Sequence, residues 1–337
     1  MTDSSTQTVP SGGTATTALA GPDRIHEAPD PRDGRVYVMS DDIDLAVRVT
    51  LATGRPLLLR GDPGSGKSSL AAYIARERGW RYYEHVVTSR TQARDLLWTF
   101  DSVRRLADAQ VRQGGAALND YDYVEPGALW WAMARDSARR RGAPDGVELA
   151  GHAVEPDAPV NAARSGDHAV VLIDEIDKAD PDMPNGLLVP LGSNEFVVSE
   201  TRTLVGPGRA GQAASGGRRV VIITTNEERA LPQAFLRRCV VLWLPYPDED
   251  RLIRIAQAHL LAYEGEFTTA DASLAESLAA QLTSLREAAA IQALRAPSTA
   301  EFLDALRACR SLGITVGSRD WERLRDLVLV KPQQPGP

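Results

Sequence analysis

Cysteine is scarce in this 337-residue chain: Cys239 and Cys309 are the whole complement, and they form no Cys-x-x-Cys pair. That argues against a disulfide framework or a structural zinc site and fits a reducing cytoplasm. The five histidines show no ligand spacing, and His85 falls mid-strand, where packing is the ordinary role. No apolar run approaches the ~20 residues that a membrane-spanning helix needs, and the N-terminus lacks the basic start and apolar stretch of a secretory signal. An excess of positive charge is also missing. The net charge is −7, so bulk electrostatics do not favour nucleic acid. What remains is 43% hydrophobic and 25% charged, an ordinary globular composition with enough apolar residues for a sizeable core.

Residues 1–34 are rich in Ser, Thr, Gly, Ala and Pro with no apolar period, which predicts a disordered N-terminal tail. Val36-Tyr37-Val38 reads as a short strand. A helix follows, with Ser40 or Asp41 as N-cap and Ile43, Ala46, Val47 and Thr50 on its buried face. Short continuous apolar runs at 56–60, 169–173, 220–224 and 240–244, with 81–87 beside them, predict buried strands. Helices are expected at 67–79, 91–112 and 127–141, an irregular interruption at 114–126 and a surface loop at 142–167. The alternation implies an α/β fold, a parallel sheet covered by helices on both faces. After Pro245 only helical patterns occur, at 249–263, 271–290, 298–311 and 318–328. The expected organisation is an α/β core at 35–246, a small all-α domain at 247–330, and a Pro-rich tail at 331–337.

Three strand ends carry chemistry. Gly61-Asp62-Pro63-Gly64-Ser65-Gly66-Lys67-Ser68 matches G-x-x-x-x-G-K-[ST] between a strand and a helix opened by Ser69. The glycines let backbone N–H groups turn inward around a phosphate, and the helix N-terminus adds its dipole. Lys67 would reach the β and γ phosphates of ATP, and the Ser68 hydroxyl would ligate Mg²⁺. Val170-Val171-Leu172-Ile173-Asp174-Glu175 delivers two carboxylates to the same sheet edge: Asp174 to hold Mg²⁺ through its waters, Glu175 to orient and deprotonate the attacking water. Asp177 and Asp180 read as solvated loop carboxylates near Lys178. Asn226, at the tip of the strand Val220-to-Thr224, is placed either to hydrogen-bond the γ-phosphate or its water, or simply to make a turn. Arg237 and Arg238, after the short helix beginning near Leu231, are either a surface pair or an arginine finger given to a neighbouring subunit. No Asn-Lys-x-Asp sequence is present to read guanine.

Phosphate loop, acidic strand end, Asn-ended strand, arginine helix and helical lid, in that order, resemble the AAA+ ATPases over about residues 35–330. Within that group the chain resembles the MoxR-type family, related to dynein- and midasin-like modules. The segments that carry this are Tyr123-Val124-Glu125-Pro126-Gly127-Ala128-Leu129-Trp130-Trp131, and Glu195-to-Ser199 with Thr201-to-Leu204. The resemblance implies that Lys67 and Ser68 are Walker A, Asp174 and Glu175 Walker B and Asn226 sensor 1, with Arg238 preferred over Arg237 as the finger. It implies two inserts facing a ring pore, so that one of Trp130 and Trp131 packs in the core and the other lines the pore or binds a partner. The sensing arginine usual at the third lid helix is absent from its place in Arg295-Ala296-Pro297-Ser298-Thr299, so either Arg295 substitutes for it or the sensor is lost. The implied function is a chaperone-like ATPase, self-assembled into a ring or spiral such as a hexamer, that remodels a partner protein carrying a von Willebrand A domain or a co-encoded effector. Alternatives are a nucleic-acid-linked loader and a nucleotide-switch component of a bacterial signalling or defence system. Arg139-Arg140-Arg141 reads as basic residues complementing a helix C-terminus.

Overall fold

The computed structural model describes residues 32–111, 118–206, 218–292 and 295–330. The expected tails at 1–34 and 331–337 fall almost wholly outside these residues. Nine strands occur among the described residues: β1 (Leu57–Arg60), β2 (Arg81–Val86), β3 (Trp98–Phe100), β4 (Val124–Pro126), β5 (Ala169–Asp174), β6 (Phe196–Val198), β7 (Thr203–Val205), β8 (Arg219–Thr225) and β9 (Val240–Trp243). Five form one sheet in the order β2-β5-β8-β1-β9, and every pairing in it is parallel. All five strands therefore present their C-terminal ends at one edge. β5 is buried along its whole length, as its uninterrupted apolar run requires.

Helices α1 (Asp41–Thr53) and α2 (Lys67–Glu77) cover one face of the sheet. Ile43, Ala46, Val47 and Thr50 of α1 are buried on the face their spacing predicts, and Leu70, Ala71, Ile74 and Ala75 of α2 join them against Leu57, Leu59, Leu172 and Ile222. Ser40 takes the N-cap conformation of α1, but its side chain makes no capping bond. Val36-Tyr37-Val38 forms no strand. The segment lies along α2: Gly34 (φ +70°) presses its Cα onto the Ala72 carbonyl, and the Tyr37 ring packs 5.7 Å from Tyr73. Its apolar residues serve a helix surface rather than a ladder.

The other face departs from the expected helices. In place of a helix over 91–112 stand a 3₁₀ turn at Ala93–Leu96, strand β3, and a helix at Ser102–Val111. Consecutive burial of Leu96, Leu97 and Trp98 fits no helical period, and β3 pairs antiparallel with β4, which lies in the stretch read as irregular. The second expected helix is two, Ala128–Met133 and Arg135–Arg139, broken at Ala134 (φ −151°, ψ 75°). Both tryptophans of the first are in the core, Trp130 at 0% and Trp131 at 2% exposure, so neither lines a pore. Their neighbour is the β6–β7 hairpin: Phe196 stacks on Trp98 at 5.6 Å and meets Trp130 edge-on at 5.4 Å. The two inserted segments are thus packed on each other. Trp130→Ala should cost about 3–5 kcal/mol, as large aromatic truncations do; chemical denaturation checks this, and a loss under ~1 kcal/mol would contradict the packing.

Residues 142–167 cover the outer edge of β2. The Asn161 side chain accepts from the Tyr82 N–H and donates to its carbonyl, each at 3.0 Å, and so caps an edge that would otherwise stay open. Glu155 accepts from the Tyr83 hydroxyl and from Arg135. Arg141 does not sit at a helix end in solvent. It is buried at φ +56° and donates to the Val124 carbonyl and Glu125.

Past β9 the described residues are all helical: Glu249–Tyr263, Thr269–Gln292, Thr299–Leu312 and Arg319–Leu324, the last running into a π turn at Arg325–Leu329. Asp248, Ser298 and Ser318 cap three of them through their side chains. Leu252, Leu260, Leu278, Leu282, Phe302, Leu306 and Trp321 make a separate core. The chain is an α/β P-loop nucleotide-hydrolase fold with a helical lid.

Candidate functional site

The C-terminal edge of the sheet gathers the loop after β1, the acidic end of β5 and the polar end of β8. Gly61 (φ +142°) and Gly66 (φ +92°) take backbone angles closed to other residues, and a Cβ on Gly61 would stand 2.3 Å from the Leu244 carbonyl. The loop can therefore close only with glycine. It leads into α2, whose first N–H groups point back toward the loop.

Lys67 is buried, and its ammonium donates to the carbonyls of Gly61 and Asp62, both at 2.7 Å. Burial lowers its pKa, although Asp62, Asp174, Asp177 and Glu175 oppose the shift. A buried cation that bonds only carbonyls is a natural partner for an anion. Ser68 donates to Asp174 Oδ1 at 2.6 Å, and Thr224 donates to the same oxygen at 2.6 Å. The Thr224 hydroxyl also accepts from the Glu175 N–H at 2.8 Å, so one side chain from β8 fixes both acids of β5.

Glu175 stands in the left-handed region (φ +60°, ψ +50°), which costs a non-glycine residue about 1 kcal/mol. That turn sends its carboxylate to Asn226, whose Nδ2 donates to Oε1 at 3.2 Å, and to Lys178, which bonds Oε2. Asp177 is buried rather than solvated. It accepts from the Asn226 N–H at 3.4 Å and the Glu228 N–H at 2.9 Å, and so holds the turn after β8 in place. Asp180 is exposed, as expected.

The lid meets the loop directly. A Cβ on Gly64 would lie 2.3 Å from Ser298 Cβ, and the Thr299 N–H donates to the Gly64 carbonyl at 3.3 Å. The Arg295 guanidinium pairs with Glu301 at 3.2 Å, and its side chain is 54% exposed. Arg286, from the second lid helix, lies 4.2 Å from the Tyr246 ring centroid and donates to the carbonyls of Pro247 and Pro297. Burial pushes its pKa down to about 10. Buried polar atoms without a protein partner cluster at this seam: Ser65 Oγ, Thr299 Oγ1 and Arg286 Nη2. Orphaned donors beside a loop of inward N–H groups fit a polyanionic ligand carrying a polar body, as a nucleotide does.

Arg237 and Arg238 stand apart from this cluster. They are exposed, and among the described residues neither guanidinium has a hydrogen bond or ion pair. They precede β9, whose first residue Val240 lies in register with Leu57, the first residue of β1. They therefore lie at the opposite edge of the sheet from the loop that follows Arg60. Sequence reading also missed Thr224, Arg286 and Arg32. Thr224 had a visible signal, the polar pair that ends β8. The other two are brought to the site by long-range packing alone.

No curated protein matches the chain. Among solved structures, one from Cytophaga hutchinsonii, described as a candidate ATPase, aligns over 88% of this chain and 83% of its own length, at 13% identity and a TM-score of 0.41. Among the described residues, no helix is long and apolar enough to cross a membrane. A family model for the AAA domain of the dynein-related subfamily matches residues 56–239, from the strand before the phosphate loop through the two arginines that follow the short helix Gln233–Leu236, and the chain belongs to that family.

Proposed function

We propose that the protein binds ATP with Mg²⁺ and hydrolyses it as a self-assembling, chaperone-like remodelling ATPase of the MoxR type. The observation that carries this is a convergence at one sheet edge: Ser68 at the start of α2, Asp174 and Glu175 from the end of β5, and Thr224 and Asn226 from the end of β8 are joined by hydrogen bonds, with Lys67 beside Ser68 on the loop after β1.

The triphosphate lies against the N–H groups of residues 61–69, with Lys67 turning from its loop carbonyls to the β and γ phosphates. Ser68 and Asp174, 2.6 Å apart, are the residues that would hold Mg²⁺, which would supply charge neutralisation to the bound phosphates. Glu175 accepts the proton of the attacking water. Asn226 and Lys178 fix its two oxygens, and the left-handed turn aims it. Asn226 is also within reach of the water or the γ-phosphate once it leaves Glu175. Arg238, or Arg237 beside it, is exposed and lies at the sheet edge opposite its own loop, so it acts on the site of an adjacent subunit. Head-to-tail contacts of that kind build a ring or an open spiral.

Ser298 and Thr299 sit on Gly64, so a change in the loop is transmitted to the lid helix they cap. That movement is the source of work on a partner protein, of which a von Willebrand A domain protein or a co-encoded effector is the candidate. Phosphate release assayed with and without chelator, and particle mass by light scattering with and without ATP, test the reading. Metal-dependent turnover and nucleotide-dependent assembly are expected; an inert monomer under all conditions would contradict it.

A further inference from the structure

Arg32 is the first described residue of the chain, and it lies at the acidic end of β5. Its guanidinium Nη1 stands 3.1 Å from Asp174 Oδ2 and bonds Glu84 Oε1 on the neighbouring strand β2. Glu84 is itself anchored by the Tyr82 hydroxyl, which donates to Oε2 at 2.8 Å. Asp174 is buried, and the Arg32 side chain is 40% exposed. Both oxygens of Asp174 are therefore engaged by donors of this chain: Oδ1 by the Ser68 and Thr224 hydroxyls, Oδ2 by Arg32. Ser68 and Asp174, the pair suited to a metal, hold each other and an arginine.

A buried carboxylate without a counter-charge is costly, so some cation must neutralise Asp174. The geometry points to Arg32 as a displaceable internal cation of the metal site, which occupies the Asp174 carboxylate until Mg²⁺ arrives with nucleotide. Mg²⁺ would bring two charges to the carboxylate where the guanidinium brings one, and would come with the phosphates of the nucleotide. Glu84 keeps the arginine at hand, because it retains a carboxylate partner after Asp174 is released. Nucleotide occupancy is then coupled to the position of the chain at residue 32, and Arg32 raises the Mg²⁺ concentration the site needs.

The inference rests on the proposed Mg²⁺–nucleotide reading. Its test is a Mg²⁺ titration of the full chain at fixed fluorescent ADP analogue, read as nucleotide binding rather than turnover. A site free in only a fraction of molecules binds more weakly by that fraction, so Arg32→Ala should reach half-saturation at roughly 3–10-fold lower Mg²⁺. Arg32→Lys, which keeps the charge, should stay within about twofold of the wild type. An unchanged or higher Mg²⁺ requirement in Arg32→Ala, with nucleotide bound normally, overturns this inference alone. Absence of nucleotide binding in wild type and variants alike at every Mg²⁺ concentration overturns the functional reading with it.

Discussion

Glu175→Gln is expected to bind ATP about as tightly as the wild type and to hydrolyse it roughly 10²–10⁴-fold more slowly, the range a positioned general base supplies. Glutamine is isosteric, and its amide oxygen can still accept from Asn226. The Glu175 backbone remains tied to Thr224, so the turn keeps its shape. What is lost is the capacity to take a proton from water, together with the ion pair to Lys178. Single-turnover phosphate release, alongside equilibrium nucleotide binding, separates the two quantities. Turnover within about twofold of the wild type would place the base elsewhere.

Arg238→Ala should slow turnover by about 10³-fold or more at unchanged nucleotide affinity, the order seen where an arginine is supplied to a phosphoryl-transfer site. The register of β9 on β1 puts Arg237 and Arg238 at the edge remote from their own loop, so in the proposed assembly the effect would fall on the neighbouring subunit. A mixing experiment reads this directly. Arg238→Ala subunits keep an intact Glu175, and Glu175→Gln subunits keep an intact arginine. Mixed assemblies should recover activity that neither variant shows alone. Arg237→Ala should be the milder change. Its backbone carbonyl, which accepts from Arg55 at 3.0 Å, is untouched by the substitution. No recovery on mixing would count against an arginine acting between subunits.

The centre of the sheet was legible because β1, β5 and β8 are largely buried and read as short apolar runs, and the edge strand β9 carries the same apolar run although it is partly exposed. The phosphate loop was legible because its backbone angles admit glycine alone at Gly61 and Gly66. The lid helices start within two residues of where they are expected, since Asp248, Ser298 and Ser318 are local start signals, and the last one ends at Leu324 and continues to 329 only as a π turn. The inserted segments were not legible. β3 finds its partner in β4 across residues 101–123, and Phe196 reaches between Trp98 and Trp130, so their structure depends on contacts far apart in sequence. Local pattern gave a helix there and left a tryptophan for a pore; burial took both. Asp177 was misread for a similar reason: the N–H groups that bury it belong to Asn226 and Glu228, on another strand end. Arg32 carries no local signal at all, because its partners Glu84 and Asp174 lie on two separate strands.

Titration of a fluorescent ATP analogue against the wild type and Lys67→Ala is the most direct measurement. Removing the one buried ammonium of the loop leaves the phosphates without their main charge partner, so affinity should fall by at least ~10²-fold and hydrolysis with it. Equal affinity and equal turnover in the two proteins would mean that nucleotide binds elsewhere or not at all.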